Sequence, residues 1–302
     1  MNRSKSLLSS IVLIAGITIN LSTVAYSQNI DLTKLKGPYL GQEPPGKTPQ
    51  VFAPGLVSTN DPEFSITISK NENEIYFSRN DLANRSRIYA FILESNGWVS
   101  KNPPLFGWDG EEFEPNFSPD GKRLYFNSNR QATNMEVEGR EWYVEKTSEK
   151  WSVPKLIGSK VLGVGNMFMT QSNDGTIYFT GFSPKRGIYS AKINGDDFGW
   201  PVFLPGNINN FRNASHPYIA PDESYIIFDY NINDTNGDRN LMISFRKGDT
   251  WLDPINIENY FGLEKYSYIP FVTFDQKYFF FSSGGNIYWM DAGFIEELRP
   301  KN

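Results

Sequence analysis

Three glutamates, Glu63, Glu112 and Glu114, two arginines, Arg79 and Arg130, and the chain's one histidine, His216, are the residues whose types and spacing could do chemistry. Two carboxylates facing each other across a pocket are what glycosidic hydrolysis needs, one protonated as acid and one ionised as base or nucleophile. The plainer reading is a set of solvated rim charges paired with the two arginines. One histidine and no cysteine leave no inventory for a zinc centre or another His-rich metal site. His216, just before Pro217, reads first as a hydrogen-bonded residue at a strand start and second as a ligand contact or single general base. Asp234, Asn236 and Asp238 offer oxygen ligands at alternating positions, as calcium requires. Their loop departs from the EF-hand order and lacks its closing glutamate, so calcium is the one cofactor suggested and a solvated turn the simpler account. Trp108, in Gly107-Trp108-Asp109-Gly110, could stack on a sugar ring or tuck beneath its own loop. No Gly-x-Ser-x-Gly elbow occurs, and Gly163-Val164-Gly165 lacks the lysine of a phosphate-binding loop.

Five copies of one pattern must position these residues. A short strand leads through a turn built on Asp or Asn into an aromatic-rich strand, then a third strand, and usually a Trp and a Pro. The turn residues are Asn71, Asp120, Asp174, Asp222 and Asp275, stepping by 49, 54, 48 and 53 positions. The strands that follow carry Ile75-Tyr76-Phe77, Leu124-Tyr125-Phe126, Ile177-Tyr178-Phe179, Ile226-Ile227-Phe228 and Phe279-Phe280-Phe281. A fixed period near fifty with several short strands per unit is the signature of a radial β array. The fold class expected is all-β: a single five-bladed β-propeller of four-stranded antiparallel blades.

In the second unit the strands are read as 113–118, 123–129, 141–146 and 151–157. Asp caps the tight turn through its own side chain, and Gly accepts positive φ. Trp98, Trp151, Trp200 and Trp251 mark the outer strands, with prolines at the free edge, where a missing N–H costs no ladder bond. The fifth unit lacks an outer strand and runs into Phe294–Leu298, a short helical turn. Thr48–Val57 resembles the missing strand and is expected to close the fifth blade from the N-terminus, protecting the open edge. The domain reading is a leader over 1–27, an extended arm over 28–47 and the propeller over 48–302.

Aligning the inner strands places Glu63, Glu112 and Asn166 in one column. Ser65, Glu114, Phe168, His216 and Ile269 lie two residues on, with the same orientation. Arg79 and Arg130 end the second strands on the same face. Glu63, Arg79, Trp108, Glu112, Glu114, Arg130, Asn166 and His216 are therefore the ligand-binding candidates around one mouth of the channel.

The run from Glu114 to Arg130, Glu-Pro-Asn-Phe-Ser-Pro-Asp-Gly-Lys-Arg-Leu-Tyr-Phe-Asn-Ser-Asn-Arg, resembles a repeat of the TolB-type, WD-like β-propeller family of bacterial envelope proteins. His216-Pro-Tyr-Ile-Ala-Pro-Asp222 is a second match. Elsewhere the pattern decays: Asn71 replaces Asp, and Glu223 and Gln276 stand where the turn Gly belongs. The resemblance spans roughly residues 48 to 291 and implies a fold and an envelope location more than an activity. Its members include protein-binding platforms and accessory domains of peptidases.

Arg3 and Lys5 precede an apolar run from Leu7 to Leu21 and a small-x-small site at Ala25-Tyr26-Ser27, the form of a secretory signal peptide cleaved near Ser27. Thr18, Asn20, Ser22 and Thr23 interrupt the run before it reaches the roughly 20 apolar residues of a span, and no later segment is expected to cross a bilayer. Removing Arg3 and Lys5 from the 29 basic residues, against 34 acidic ones, leaves a net charge of -7, which argues against nucleic acid and anionic membranes as partners. The expectation is a monomeric, periplasmic or secreted module that binds a protein or glycan partner without catalysis. The alternative is a glycan-active hydrolase or lyase using channel-mouth carboxylates.

Overall fold

The computed structural model describes residues 30–131, 140–147, 150–195, 197–233, 238–262 and 266–301. The leader over 1–27 and two residues of the calcium reading, Asp234 and Asn236, lie outside them. No helix among the described residues is long and apolar enough to cross a membrane.

β1 (Gln50–Val51) comes first. Blade 1 follows as β2 (Glu63–Ile68), β3 (Glu74–Asn80), β4 (Ser86–Glu94) and β5 (Gly97–Lys101). Blade 2 holds β6 (Glu112–Phe117), β7 (Arg123–Ser128), β8 (Glu141–Glu145) and β9 (Lys155–Leu156), and α1 (Ser159–Leu162) leads into the next blade. Blade 3 is β10 (Asn166–Gln171), β11 (Ile177–Gly181), β12 (Gly187–Ala191) and β15 (Val202–Phe203), with a small hairpin, β13 (Ile193–Asn194) and β14 (Asp197–Phe198), beside it. After α2 (Gly206–Asn209), blade 4 runs β16 (Ser215–Ile219), β17 (Tyr225–Asn231) and β18 (Arg239–Lys247), whose outer edge pairs with both β19 (Thr250–Trp251) and β20 (Ile255–Asn256). Blade 5 is β21 (Ser267–Val272), β22 (Tyr278–Ser283) and β23 (Asn286–Asp291), and α3 (Phe294–Leu298) ends the chain.

This is the five-bladed antiparallel propeller expected from the repeats. β1 supplies the fourth strand of blade 5, Gln50 opposite Trp289 and Val51 opposite Tyr288, so both ends of the chain close one blade. The inner strands touch in ring order, and β21 returns to β2. Phe52 and Val57, just beyond β1, are fully buried in the resulting core. The segment before β1 is docked as well. Tyr39 packs against Tyr278 and Trp289 with ring centroids 5.3 Å away, and Trp98 Nε1 donates to Gly37 O at 3.0 Å. At Gly97 a Cβ would meet Thr33 backbone at 2.7 Å, so only glycine lets this segment lie against β5.

Two sequence expectations need correction. The single outer strand over 151–157 is two pieces, a bridge from Lys146 to Trp151 and then β9, because Pro154 cannot donate to a continuous ladder. Trp200 is not blade 3's counterpart of the other tryptophans. Trp98 lies opposite Leu93, Trp251 opposite Arg246 and Trp151 opposite Lys146; in blade 3 it is Phe198, opposite Ile193, that takes this place. Phe198 is buried, whereas Trp200, two residues on, is 75% exposed.

Each inner strand carries a bulge at the same register. Ser65, Glu114, Phe168, His216 and Ile269 all adopt positive φ, between 48° and 57°, and the strand pairing shifts beside each. L-residues avoid this region, so something must hold them there. In four blades it is a polar side chain from the second strand of the preceding blade. Ser78 Oγ accepts from Glu114 N at 2.8 Å, Thr180 Oγ1 from His216 N at 2.9 Å, Asp229 Oδ2 from Ile269 N at 3.0 Å and Ser282 Oγ from Ser65 N at 3.1 Å.

Candidate functional site

The column of Glu63 and Glu112 forms the upper layer of the channel wall, and arginines pin both. Glu63 Oε1 accepts from Arg79 Nε at 2.7 Å and from Thr59 Oγ1 at 2.5 Å, while Oε2 accepts from Thr59 N at 2.9 Å. Arg79 is fixed in turn by Leu56 O and Val57 O, at 2.8 and 3.1 Å, and by the ring of Tyr89. Glu112 pairs with Arg130, whose guanidinium packs over Phe126 and Trp142. Burial raises both carboxyl pKa values, against the pull of Thr59 and Arg79 on Glu63 and of Arg130 on Glu112. Each carboxylate is thus held within its own blade. Trp108 is half-buried, its Nε1 donating to Asn129 Oδ1 at 2.8 Å, so the ring is tied beneath its own loop.

Two residues deeper, the bulges bring a different group together. His216 Nδ1 donates to Asp229 Oδ2 at 2.6 Å, and His216 Nε2 lies 3.5 Å from Glu114 Oε1. The other Asp229 oxygen pairs with Arg239. The Phe168 ring meets the imidazole edge-on at 5.3 Å. Glu141 is fully buried; its Oε2 accepts from Asn127 Nδ2 at 2.6 Å and its backbone N donates to Asn166 Oδ1 at 3.2 Å. Among the described residues, Ser65 Oγ and Glu114 Oε2 in this layer and Asn166 Nδ2 in the layer above it have no hydrogen-bond partner, while the Glu141 carboxyl is approached by the Met169 backbone N–H.

Burial works against the charged form of His216, but Asp229 and then Glu114 outweigh it, so its pKa stands above the usual imidazole value. Burial would raise Asp229 too, yet His216 and Arg239 hold it below the ordinary carboxylate range. Glu141 is pushed well up, by burial first and by neighbouring Glu114 second. The layer therefore sets an easily ionised carboxyl, Asp229, against the imidazole and a proton-retaining one, Glu141, beside Glu114.

Sequence alignment of the inner strands brings out Glu114, His216 and Asn166 but misses Asp229, Glu141 and Arg239. These sit on second and third strands. Asp229 had a signal: it follows Ile226-Ile227-Phe228 at the place where the other blades carry Ser78, Asn127, Thr180 and Ser282. Of the calcium candidates, Asp238 is described, and its Oδ2 accepts from Asn233 Nδ2 at 2.6 Å. No group of three His, Asp or Glu side chains among the described residues is placed to hold a metal ion.

Sizeable cavities open on the face opposite to the upper layer, among the Asp-Gly turns. One of about 720 Å³ lies between blades 2 and 3, lined by Lys70, Asp120, Arg123, Glu145 and Asp174. Another of about 340 Å³ lies between blade 5, α3 and the Asp222 turn. Phe117, Tyr218, Phe271 and Phe274 line a small cavity of about 20 Å³ between the blades.

No protein-family model matches the chain, and no curated protein does. Solved structures do. An endo-arabinase from Bacteroides thetaiotaomicron superposes with a TM-score of 0.51 at 11% identity, over 86% of this chain and 98% of that one. The catalytic domain of a GH62 α-L-arabinofuranosidase from Coprinopsis cinerea gives 0.51 at 10% identity, over 78% and 93%. TolB from Acinetobacter baumannii gives 0.47 at 15% identity over 77% of this chain, which spans 55% of that protein's length. At these identities the likeness is one of fold alone, the five-bladed propeller.

Proposed function

We propose that this ring is an exported envelope module that engages a glycan at its channel. The observation behind this reading is the set of buried atoms without a hydrogen-bond partner among the described residues, Ser65 Oγ, Glu114 Oε2 and Asn166 Nδ2. Each such atom costs about 1–3 kcal/mol if left unpaired. The set mixes an acceptor, an amide donor and a hydroxyl that can be either. Sugar hydroxyls both donate and accept, so they match it; a hard cation wants oxygens alone and would meet the Asn166 amide. The depth of the layer favours a glycan end over the middle of a polymer. Export through the 1–27 leader, with cleavage near Ser27, belongs to the same reading and is checked by N-terminal sequencing of the secreted chain. The test of binding is calorimetric titration of the mature protein with arabino- and xylo-oligosaccharides. Saturable binding that Asn166→Ala weakens supports the reading. Absence of binding across the set removes it and leaves a protein partner.

A second reading, hydrolysis of the bound glycan, has its own support. Burial beside Glu114 makes Glu141 hold its proton to higher pH than an ordinary carboxyl, and glycosidic hydrolysis uses a pair of carboxyls of which one keeps its proton to act as acid. Reducing-end release by wild type, lost in both Glu141→Gln and Glu114→Gln while binding persists, would establish an enzyme. Binding without release in wild type would dismiss it.

A further inference from the structure

Four of the five seams between blades are plugged by the segment that crosses from one blade's outer edge to the next inner strand. Val161 and Leu162 of α1 fill the seam between blades 2 and 3, Ile208 of α2 that between 3 and 4, and Phe261 that between 4 and 5, all buried. Phe52 and Val57 do the same between blades 5 and 1. The crossing from blade 1 to blade 2 is different. It runs through Pro103-Pro104, forms no helix, and leaves Leu105 and Phe106 only partly buried. Trp151 is likewise only partly buried, whereas its counterparts Trp98, Phe198 and Trp251 are buried. The unplugged seam is a cleft of about 590 Å³, the size of a small-molecule site.

We propose that this cleft binds an amphiphilic monoanion, an apolar or aromatic body carrying one carboxylate or sulfonate. The body would lie against Tyr76, Ile92, Leu105, Phe106 and Trp151, which line the cleft. That wall is already ordered: Trp151 Nε1 donates to Tyr76 OH at 2.8 Å, and Lys146 sits 5.3 Å over the indole. The sign of the charge follows from the rim. Lys101 pairs with Glu94 at 3.2 Å and Lys146 pairs with Glu74, which leaves Lys150, exposed and without a carboxylate partner among the described residues. Among the described residues of the rim this makes one surplus cation beside an apolar floor, which selects one anionic group. The site is separate from the channel and stands whether or not the channel takes a glycan.

The test is a titration of the mature protein with 1-anilinonaphthalene-8-sulfonate, followed by displacement with dodecanoate and with dodecanol, its neutral analogue. One saturable site is expected, from which dodecanoate displaces the dye better than dodecanol does. Ser100→Trp, at the exposed rim on β5, should block the cleft and abolish the signal with the melting temperature unchanged. Lys150→Ala should weaken dodecanoate by up to about fivefold, the scale of one exposed ion pair, and leave dodecanol as it was. Undiminished dye binding in a folded Ser100→Trp overturns the site, as does no binding by wild type. Equal displacement by acid and alcohol overturns the anion. Should Ser100→Trp fail to fold, the Lys150→Ala comparison decides.

Discussion

Asp229 ties together three elements at once: the His216 ring, the Arg239 guanidinium and the strained Ile269 amide. Removing its charge strands a buried imidazole and a partly buried guanidinium, and breaking a buried pair in this way typically costs about 3–5 kcal/mol. Asp229→Asn should therefore lower stability to urea by about that much at pH 7. The pH dependence follows from the directions of the shifts. Asp229 is depressed when folded, so its contribution is present above the unfolded carboxyl value of about 4 and fades as pH falls through the folded one. His216 is raised, so its contribution is full below the unfolded value of about 6.5 and is lost as pH climbs through the folded one. The dyad serves best between those limits, and Asp229→Asn should flatten both limbs of the stability curve. Glu141 is raised by burial. It therefore favours the fold below about pH 4.3, its unfolded value, and progressively less as pH rises towards the folded one. Glu141→Gln should remove that decline, so variant and wild type diverge in the variant's favour on the alkaline side. A parallel pair of pH–stability curves would show that Glu141 is ionised in the folded chain.

At the scale of elements, the turn between the first two strands of each blade keeps a left-handed residue even where its glycine is lost. Gly121 and Gly175 have φ of 69° and 88°; Glu72, Glu223 and Gln276 have 58°, 58° and 62°. The longer side chains offset the strain by bridging outward. Glu72 Oε1 accepts from Tyr39 OH at 2.8 Å, Glu223 Oε1 from Ser172 Oγ at 3.0 Å, and Gln276 Nε2 donates to Tyr218 OH at 3.2 Å. Glu223→Gly and Glu223→Ala lose the same bridge, but only glycine is at ease with this backbone. The glycine variant should be the more stable by about 1 kcal/mol on chemical denaturation, and equal values would mean that the turn relaxes. The repeats are legible at this scale because turn chemistry and alternation are local. Trp200 misleads for the same reason: a tryptophan with Pro205 five residues on repeats the Trp98 and Pro103 spacing. Only the pairing of β13 with β14 shows that Phe198 fills the seam.

For the molecule as a whole, closure depends on β1 and the segments on either side of it, which bring Tyr39, Leu40, Phe52 and Val57 into the main core. Each such side chain is worth about 1.5–3 kcal/mol, and 1 kcal/mol moves the midpoint of a protein this size by about 2–4 °C. A chain of residues 58–302 should melt about 10 °C or more below one of residues 28–302 in calorimetry. An unchanged midpoint would mean that three strands suffice for blade 5.

The sequence alone determined the five-bladed array, its closure by an N-terminal strand and the columns that hold Glu63, Glu112, Glu114 and His216, because a period near fifty and strand alternation are written along the chain. Only the tertiary structure decided how those residues are used. Glu63 is sealed by Arg79 on the neighbouring strand and Glu112 by Arg130 just past the end of β7, each within its own blade. Glu114 and His216, two blades apart, are carried to within 3.5 Å of each other. Asp229, Arg239 and Glu141 join them from strands whose side chains meet the axis only once blades pack against blades. Bulges, seams and charge partners across blades arise from that packing, and no local pattern encodes a contact between segments a hundred residues apart.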